Sequence, residues 1–172
     1  MPANIRGRSL CISRGQTRCV NYRNRDSDRS PARHRAARSR IAWRNTHHWV
    51  ASAVAAVDPT IMGTAPVPAT EKVLQKAGLT MKDIDIIEMN EAFAVQALYF
   101  LDRFGMKWDD PRVNKWGGAI AYGHPLASSG PRLIAFLAGL FQENPTARYG
   151  LATMCVGRGQ GYSAIWENLA AK

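Results

Sequence analysis

The sequence predicts a layered α/β fold, a mixed sheet with helices packed on it, and two observations predict it. From Val50 onward, short apolar runs of strand length alternate with longer segments of helical period, in the order strand, helix, strand, helix, helix and then two strands. Glycine-dense loops punctuate that order, the densest running from Gly117 to Arg132 around His124. At 172 residues and 46% hydrophobic composition, the chain is long enough for one domain with its own core.

Each element has its own signal. Residues 50–57 read as a buried strand ended by Asp58-Pro59, and residues 61–66 as a loop. Pro66 and Pro68 lead into a helix from about Ala69 to Ala77, with Val73, Leu74 and Ala77 inward and Gly78 as its stop. Thr80 and Asp83 have the spacing of a capping box for a short turn. Residues 84–89 read as a strand. A helix then runs from about Glu91 to Phe104, where Phe93, Ala97, Leu98, Leu101 and Phe104 follow helical spacing before Gly105 stops it.

Residues 107–114 form a polar connection to the histidine loop. The next helix ends near Glu143, with Leu133, Phe136, Leu137, Leu140 and Phe141 facing inward. Residues 148–154 and 162–167 read as two strands linked by a loop that carries Cys155.

Charge divides the chain unevenly. The first fifty residues hold 12 arginines, no lysine and two acids, Asp26 and Asp28, which accounts for the whole net charge of +10. Residues 1–47 therefore read as a disordered basic segment: they cannot bury enough to offset chain entropy. Tyr22, Trp43 and Trp49 are too sparse for a nucleic-acid stacking platform, so nucleic acid is not the expected partner. The absence of an amphipathic stretch argues against a transit peptide. Exclusive use of Arg beside Ser and Pro is expected of out-of-frame text or a misassigned start in a GC-rich gene.

Cys11, Cys19 and Cys155 show no metal-type spacing, so no metal site is expected and a reducing, cytoplasmic compartment is. Residues 50–57 and 133–141 are the longest apolar runs, far short of a membrane span.

Three stretches carry chemistry. His124 lies in a loop rich in glycine just before a helix start, where unpaired N–H groups and a partial positive charge suit an anionic ligand or a thiolate. Asn90-Glu91-Ala92-Phe93-Ala94 follows an apolar run, and Cys155-Val156-Gly157-Arg158-Gly159-Gln160-Gly161 lies between two strand-like runs. The three are about 30 residues apart.

In this order and spacing they resemble the C-terminal half of the thiolases, over residues 48–172. That family has an Asn-Glu-Ala-Phe motif, a Gly-Gly…Gly-His-Pro…Ser-Gly…Arg motif and a closing Cys-x-Gly-x-Gly-x-Gly. The resemblance implies acyl exchange between coenzyme A and an enzyme cysteine, by cleavage of 3-ketoacyl-CoA or the reverse Claisen condensation. Coenzyme A is then a substrate, and no cofactor is tightly bound.

It further implies that His124 activates the nucleophilic cysteine and binds the thioester oxygen, and that Asn90 positions a water in the same oxyanion hole. Cys155 becomes the acid/base for the α-proton, in surroundings expected to favour its thiolate, and Gly157 gives its N–H to a second oxyanion hole. Phe93 lines the acyl-CoA side of the pocket or is plain core; Glu91 is a helix-start charge. Two residues depart from the family pattern: Ala127, where glycine is usual, and Arg158, where glycine or a hydrophobe is. Ala127 is expected to strain its loop if positive φ is needed there, and Arg158 to attract coenzyme A phosphate.

The family's nucleophilic cysteine belongs to an N-terminal half that nothing here resembles, so the chain alone is expected to be inactive. Acyl-CoA and either a second copy or that missing half are the implied partners. Two other readings stay open: a Cys-His hydrolase built on Cys155 and His124, and a basic binding module without catalysis.

Overall fold

The computed structural model describes residues 47–171, so the expectations for the arginine-rich segment, Cys11 and Cys19 included, lie outside the described residues. A four-stranded mixed sheet organises the rest. Its strands are β1 (His47–Ala56), β2 (Ile86–Met89), β3 (Tyr149–Val156) and β4 (Gln160–Asn168), in the order β1-β4-β3-β2. The two pairings that involve β4 are antiparallel, and β2 runs parallel to β3.

Helices cover both faces. The main ones are α1 (Pro66–Ala77), α2 (Ala94–Arg103) and α4 (Ser129–Glu143); a single turn, α3 (Ala119–Tyr122), lies in the histidine loop. Alternation along β2 divides the core between them. Ile87 and Met89 join Val73, Phe100, Leu151 and Ile165 in one cluster, while Ile86 packs with Leu137, Leu140 and Phe141 of α4 in another. Between α1 and the sheet, the hydroxyls of Thr70, Thr153 and Ser163 satisfy one another, so this polar patch is buried without an unmade bond.

Several elements depart from the expectation. β1 is an edge strand among the described residues, paired on one side with β4, and Ala53 alone of its residues is buried. Lys72 and Lys76 of α1 donate to the Val54 and Ser52 carbonyls, placing charge on that edge. The expected loop at 61–66 is largely a 3-10 turn, Pro59–Thr64, capped by the Asp58 carboxylate on the Thr60 N–H.

α1 begins at Pro66 rather than Ala69, since a proline in the first turn lacks only an N–H that would be unpaired anyway. α2 begins at Ala94 rather than Glu91. Phe93, just before it, is extended, and the Ala92 N–H turns back onto the Asn90 carbonyl, so the intervening residues are not helical. Gly78 stops α1 at φ 66°, and Thr80 with Asp83 forms the expected box around a short 3-10 turn.

Cys155 is paired within β3, opposite Gly161, so the loop is shorter than expected: Gly157-Arg158-Gly159. Arg158 and Gly159 take left-handed φ of 65° and 79° to make that turn. The glycines of this motif then differ sharply in purpose. A Cβ on Gly161 collides with the Ala65 carbonyl, whereas one on Gly157 meets nothing within 4 Å. Gly161→Ala is therefore expected to cost about 2 kcal/mol and Gly157→Ala less than about 0.5 kcal/mol in urea unfolding; equal losses would contradict this packing.

Candidate active site

The parallel ladder of β2 and β3 brings their C-terminal ends to one edge of the sheet. Met89 lies opposite Thr153, and the Asn90 N–H adds one more rung by donating to the Thr153 carbonyl at 2.9 Å. Asn90 is completely buried there, and Cys155, two residues beyond Thr153, is 7% exposed.

The histidine loop is tied across this edge by side chains. Glu91 accepts from the Ile120 N–H at 3.0 Å, at the start of α3, and from Asn114 Nδ2 at 2.6 Å. Asn114 in turn bonds both the N–H and the carbonyl of Met89, so the strand, Glu91 and the loop form one connected unit. Gly118 is required where it stands, because a Cβ would collide with the Glu91 carboxylate. From the other side, Arg132 of α4 donates to the Gly123 carbonyl at 2.9 Å. Glu91 is thus a helix-start charge for α3 rather than for the helix that follows it in sequence.

Both ring nitrogens of the half-buried His124 are engaged. Nε2 lies 3.3 Å from Asn90 Nδ2, and Nδ1 lies 2.7 Å from Ser129 Oγ in the first turn of α4. An amide nitrogen only donates, so Nε2 accepts and the ring proton sits on Nδ1, directed at Ser129.

Cys155 faces elsewhere. Its S–H donates to Gln96 Oε1 at 3.3 Å, and Gln96 Nε2 donates to the Asn90 carbonyl at 3.1 Å. Burial pushes the thiol above its ordinary value, which corrects the expectation of a thiolate-favouring site: no hydrogen bond joins Cys155 to His124. A Cys-His hydrolase needs that contact, so the geometry argues against it.

Gly157 and Arg158 are exposed at the tip of the hairpin. Phe93 is 56% exposed, which removes the plain-core reading. Ala127 sits in a 3-10 turn (Leu126–Ser128) and does not have positive φ; Leu126, at 47°, carries the left-handed strain in its place.

A family model for the thiolase C-terminal domain matches residues 44–168. The chain belongs to the thiolase family. It is 55% identical over 118 residues to a 3-ketoacyl-CoA thiolase of Vibrio cholerae, covering 68% of this chain and 30% of that protein. It is 52% identical over 120 residues to the 3-oxoadipyl-CoA/3-oxo-5,6-dehydrosuberyl-CoA thiolase of Escherichia coli, covering 70% of this chain and 30% of the relative.

The crystal structure of human mitochondrial 3-ketoacyl-CoA thiolase superposes with a TM-score of 0.68 at 40% identity, over 72% of this chain and 30% of that one. The Bacillus anthracis acetyl-CoA acetyltransferase gives 0.67 at 35%, over 71% and 30%. The chain thus spans about 30% of the length of the relatives it matches.

Three residues of this thiolase domain escaped the reading of its sequence. Gln96 lies outside the three motifs, and Ser129 is the serine of the Ser-Gly step in the histidine motif; both gain their importance through what they touch. Glu88 did leave a signal, a charge inside the apolar run of β2. It is fully buried with no hydrogen-bond partner among the described residues. Burial pushes its carboxyl up to about 8, with the charge of Glu91 adding and Arg132 offsetting part. Glu88 is therefore protonated at neutral pH.

The sign of the pH dependence follows. Stability from the neutral, buried Glu88 is complete below its ordinary value of 4.5 and is lost as pH rises to about 8. Urea unfolding should lose up to about 5 kcal/mol across that window, and Glu88→Gln, which cannot ionise, should flatten the profile. An unchanged slope in the variant would contradict this assignment.

Proposed function

We propose that this domain supplies the proton-transfer and oxyanion-binding part of a thiolase that exchanges acyl groups between 3-ketoacyl-CoA and coenzyme A. The observation that carries the reading is the gathering of Asn90, His124 and Cys155 at one sheet edge by direct contacts and by Gln96. Names of its relatives add support, since those quoted above are thiolases of 3-keto or 3-oxo thioesters of coenzyme A or an acetyltransferase of acetyl-CoA.

Each residue has a part. His124, aimed by Ser129, exchanges the Asn90 contact at Nε2 for the proton of a nucleophilic cysteine that the rest of a full-length thiolase provides. Asn90 bonds the ring at Nε2 at rest and, through a water, helps bind the thioester oxygen. Its buried Oδ1, without a partner among the described residues, is where such a water is held. Cys155, kept protonated by burial, delivers its proton to the α-carbon when the 3-ketoacyl chain is cleaved. Gly157 offers its backbone N–H to the second oxyanion, Phe93 lines the acyl side, and Arg158 attracts the phosphates of coenzyme A.

Completion by further protein agrees with the exposed apolar residues in these same loops: Phe93, Ile120 and Leu126 are each more than half exposed. The chain by itself is accordingly expected to have no turnover, and the complete enzyme to serve fatty-acid breakdown in the cytoplasm.

The test is a chimera in which residues 47–172 replace the corresponding domain of a full-length 3-ketoacyl-CoA thiolase. The chimera should cleave 3-ketoacyl-CoA, with Cys155→Ala and His124→Ala each slowing it by about 10³-fold and Asn90→Ala by about 10²-fold. Turnover that survives Cys155→Ala would refute the assigned chemistry.

A further inference from the structure

Gln96 is a polar side chain, 2% exposed, on the inward face of α2, and its two amide atoms make two different bonds. Nε2 donates to the Asn90 carbonyl at 3.1 Å, and Oε1 accepts from the Cys155 thiol at 3.3 Å. These bonds fix the amide's orientation. If it turned over, its oxygen would face the Asn90 carbonyl oxygen, two acceptors would be set against each other, and that carbonyl would keep only the Ala92 N–H as donor. Cys155 therefore always meets an acceptor, which has a use for S–H and offers nothing to a thiolate.

We propose that Gln96 is a positioning residue that holds Cys155 in its protonated form and couples it to the Asn90–His124 pair, fitting the site to donate a proton in the cleavage direction. This rests on the acid/base role proposed for Cys155. In cleavage the S–H bond breaks and its proton forms a C–H bond at the α-carbon of the departing enolate. The electron pair stays on sulfur as thiolate. The incoming thiol of coenzyme A then returns a proton to that sulfur and becomes the thiolate that attacks the acyl-enzyme. An acceptor locked at 3.3 Å from the sulfur favours this second transfer, because the thiolate has no donor in Gln96 to rest on. Asn90 belongs to the same unit, since its backbone carbonyl is what fixes the amide.

The S–H stretching band reads the contact directly. In the full chain with Cys11→Ala and Cys19→Ala, Cys155 is the one remaining thiol, and its band is expected at the lower wavenumber of a hydrogen-bonded thiol. Gln96→Leu should move it to the higher wavenumber of a free thiol. Gln96→Glu, which keeps an oxygen toward the sulfur, should hold it at or below its original position, so one of the pair reports even if the other fails to fold.

In the chimeric enzyme, Gln96→Leu should lower kcat for cleavage about tenfold with KM within about twofold. A free-thiol band in the parent, a band that ignores Gln96→Leu, or a moved band with unchanged kcat would each overturn the proposal. The band is read without substrate, so failure of the acyl-transfer reading, seen as turnover that survives Cys155→Ala, is distinguished from failure of this one.

Discussion

Parallel pairing of β2 with β3, extended by the Asn90 N–H on the Thr153 carbonyl, is the constraint on which the site depends. Parallel strands end at the same edge, and in open α/β sheets that edge is where loops carry chemistry. Here the register decides which side chains arrive there. A one-residue slip turns every side chain of a strand to the opposite face. Cys155 would then point away from Gln96, and Glu88 and Asn90 would exchange faces with Ile87 and Met89.

Around that edge the structure spends polar groups on position. Glu91 and Arg132 hold the histidine loop by bonds to its backbone, and Asn114 braces Glu91, which fixes the loop around the ring. The arrangement leaves Glu88, Asn90 Oδ1 and one Arg132 nitrogen buried without hydrogen-bond partners among the described residues. Buried polar atoms of this kind cost stability, and their concentration beside Asn90 and His124 is the pattern expected where a fold serves a reaction as well as its own packing.

The sequence made the layered fold legible because its punctuation is local. Gly78 ends α1, Thr80 and Asp83 box a turn, and the apolar stripe of α4 lies where its period puts it. The phase of α2 was legible in part: Ala97, Leu101 and Phe104 pack inward as their spacing predicts. Val95, Leu98 and Tyr99 are exposed, while Gln96, Phe100 and Leu101 are buried. Apolar residues on both sides of α2 blur its stripe, and Phe93, counted in it, lies before the helix in extended conformation.

The motif residues could be named from the sequence because their order and spacing match a family pattern. Their partners could not, since Gln96 and Ser129 matter only through contacts that tertiary structure makes. The edge position of β1 was likewise invisible, because an edge strand and a buried one can share the same apolar run.

The most direct test of this account is native-state hydrogen exchange at the Asn90 amide, read residue by residue by NMR. If the ladder truly extends past Met89 to organise the site, Asn90 exchanges as slowly as Ile87 in the core of the sheet. An Asn90 amide that exchanges at the rate of an open loop would contradict it, and the convergence of Asn90, His124 and Cys155 would lose its structural cause.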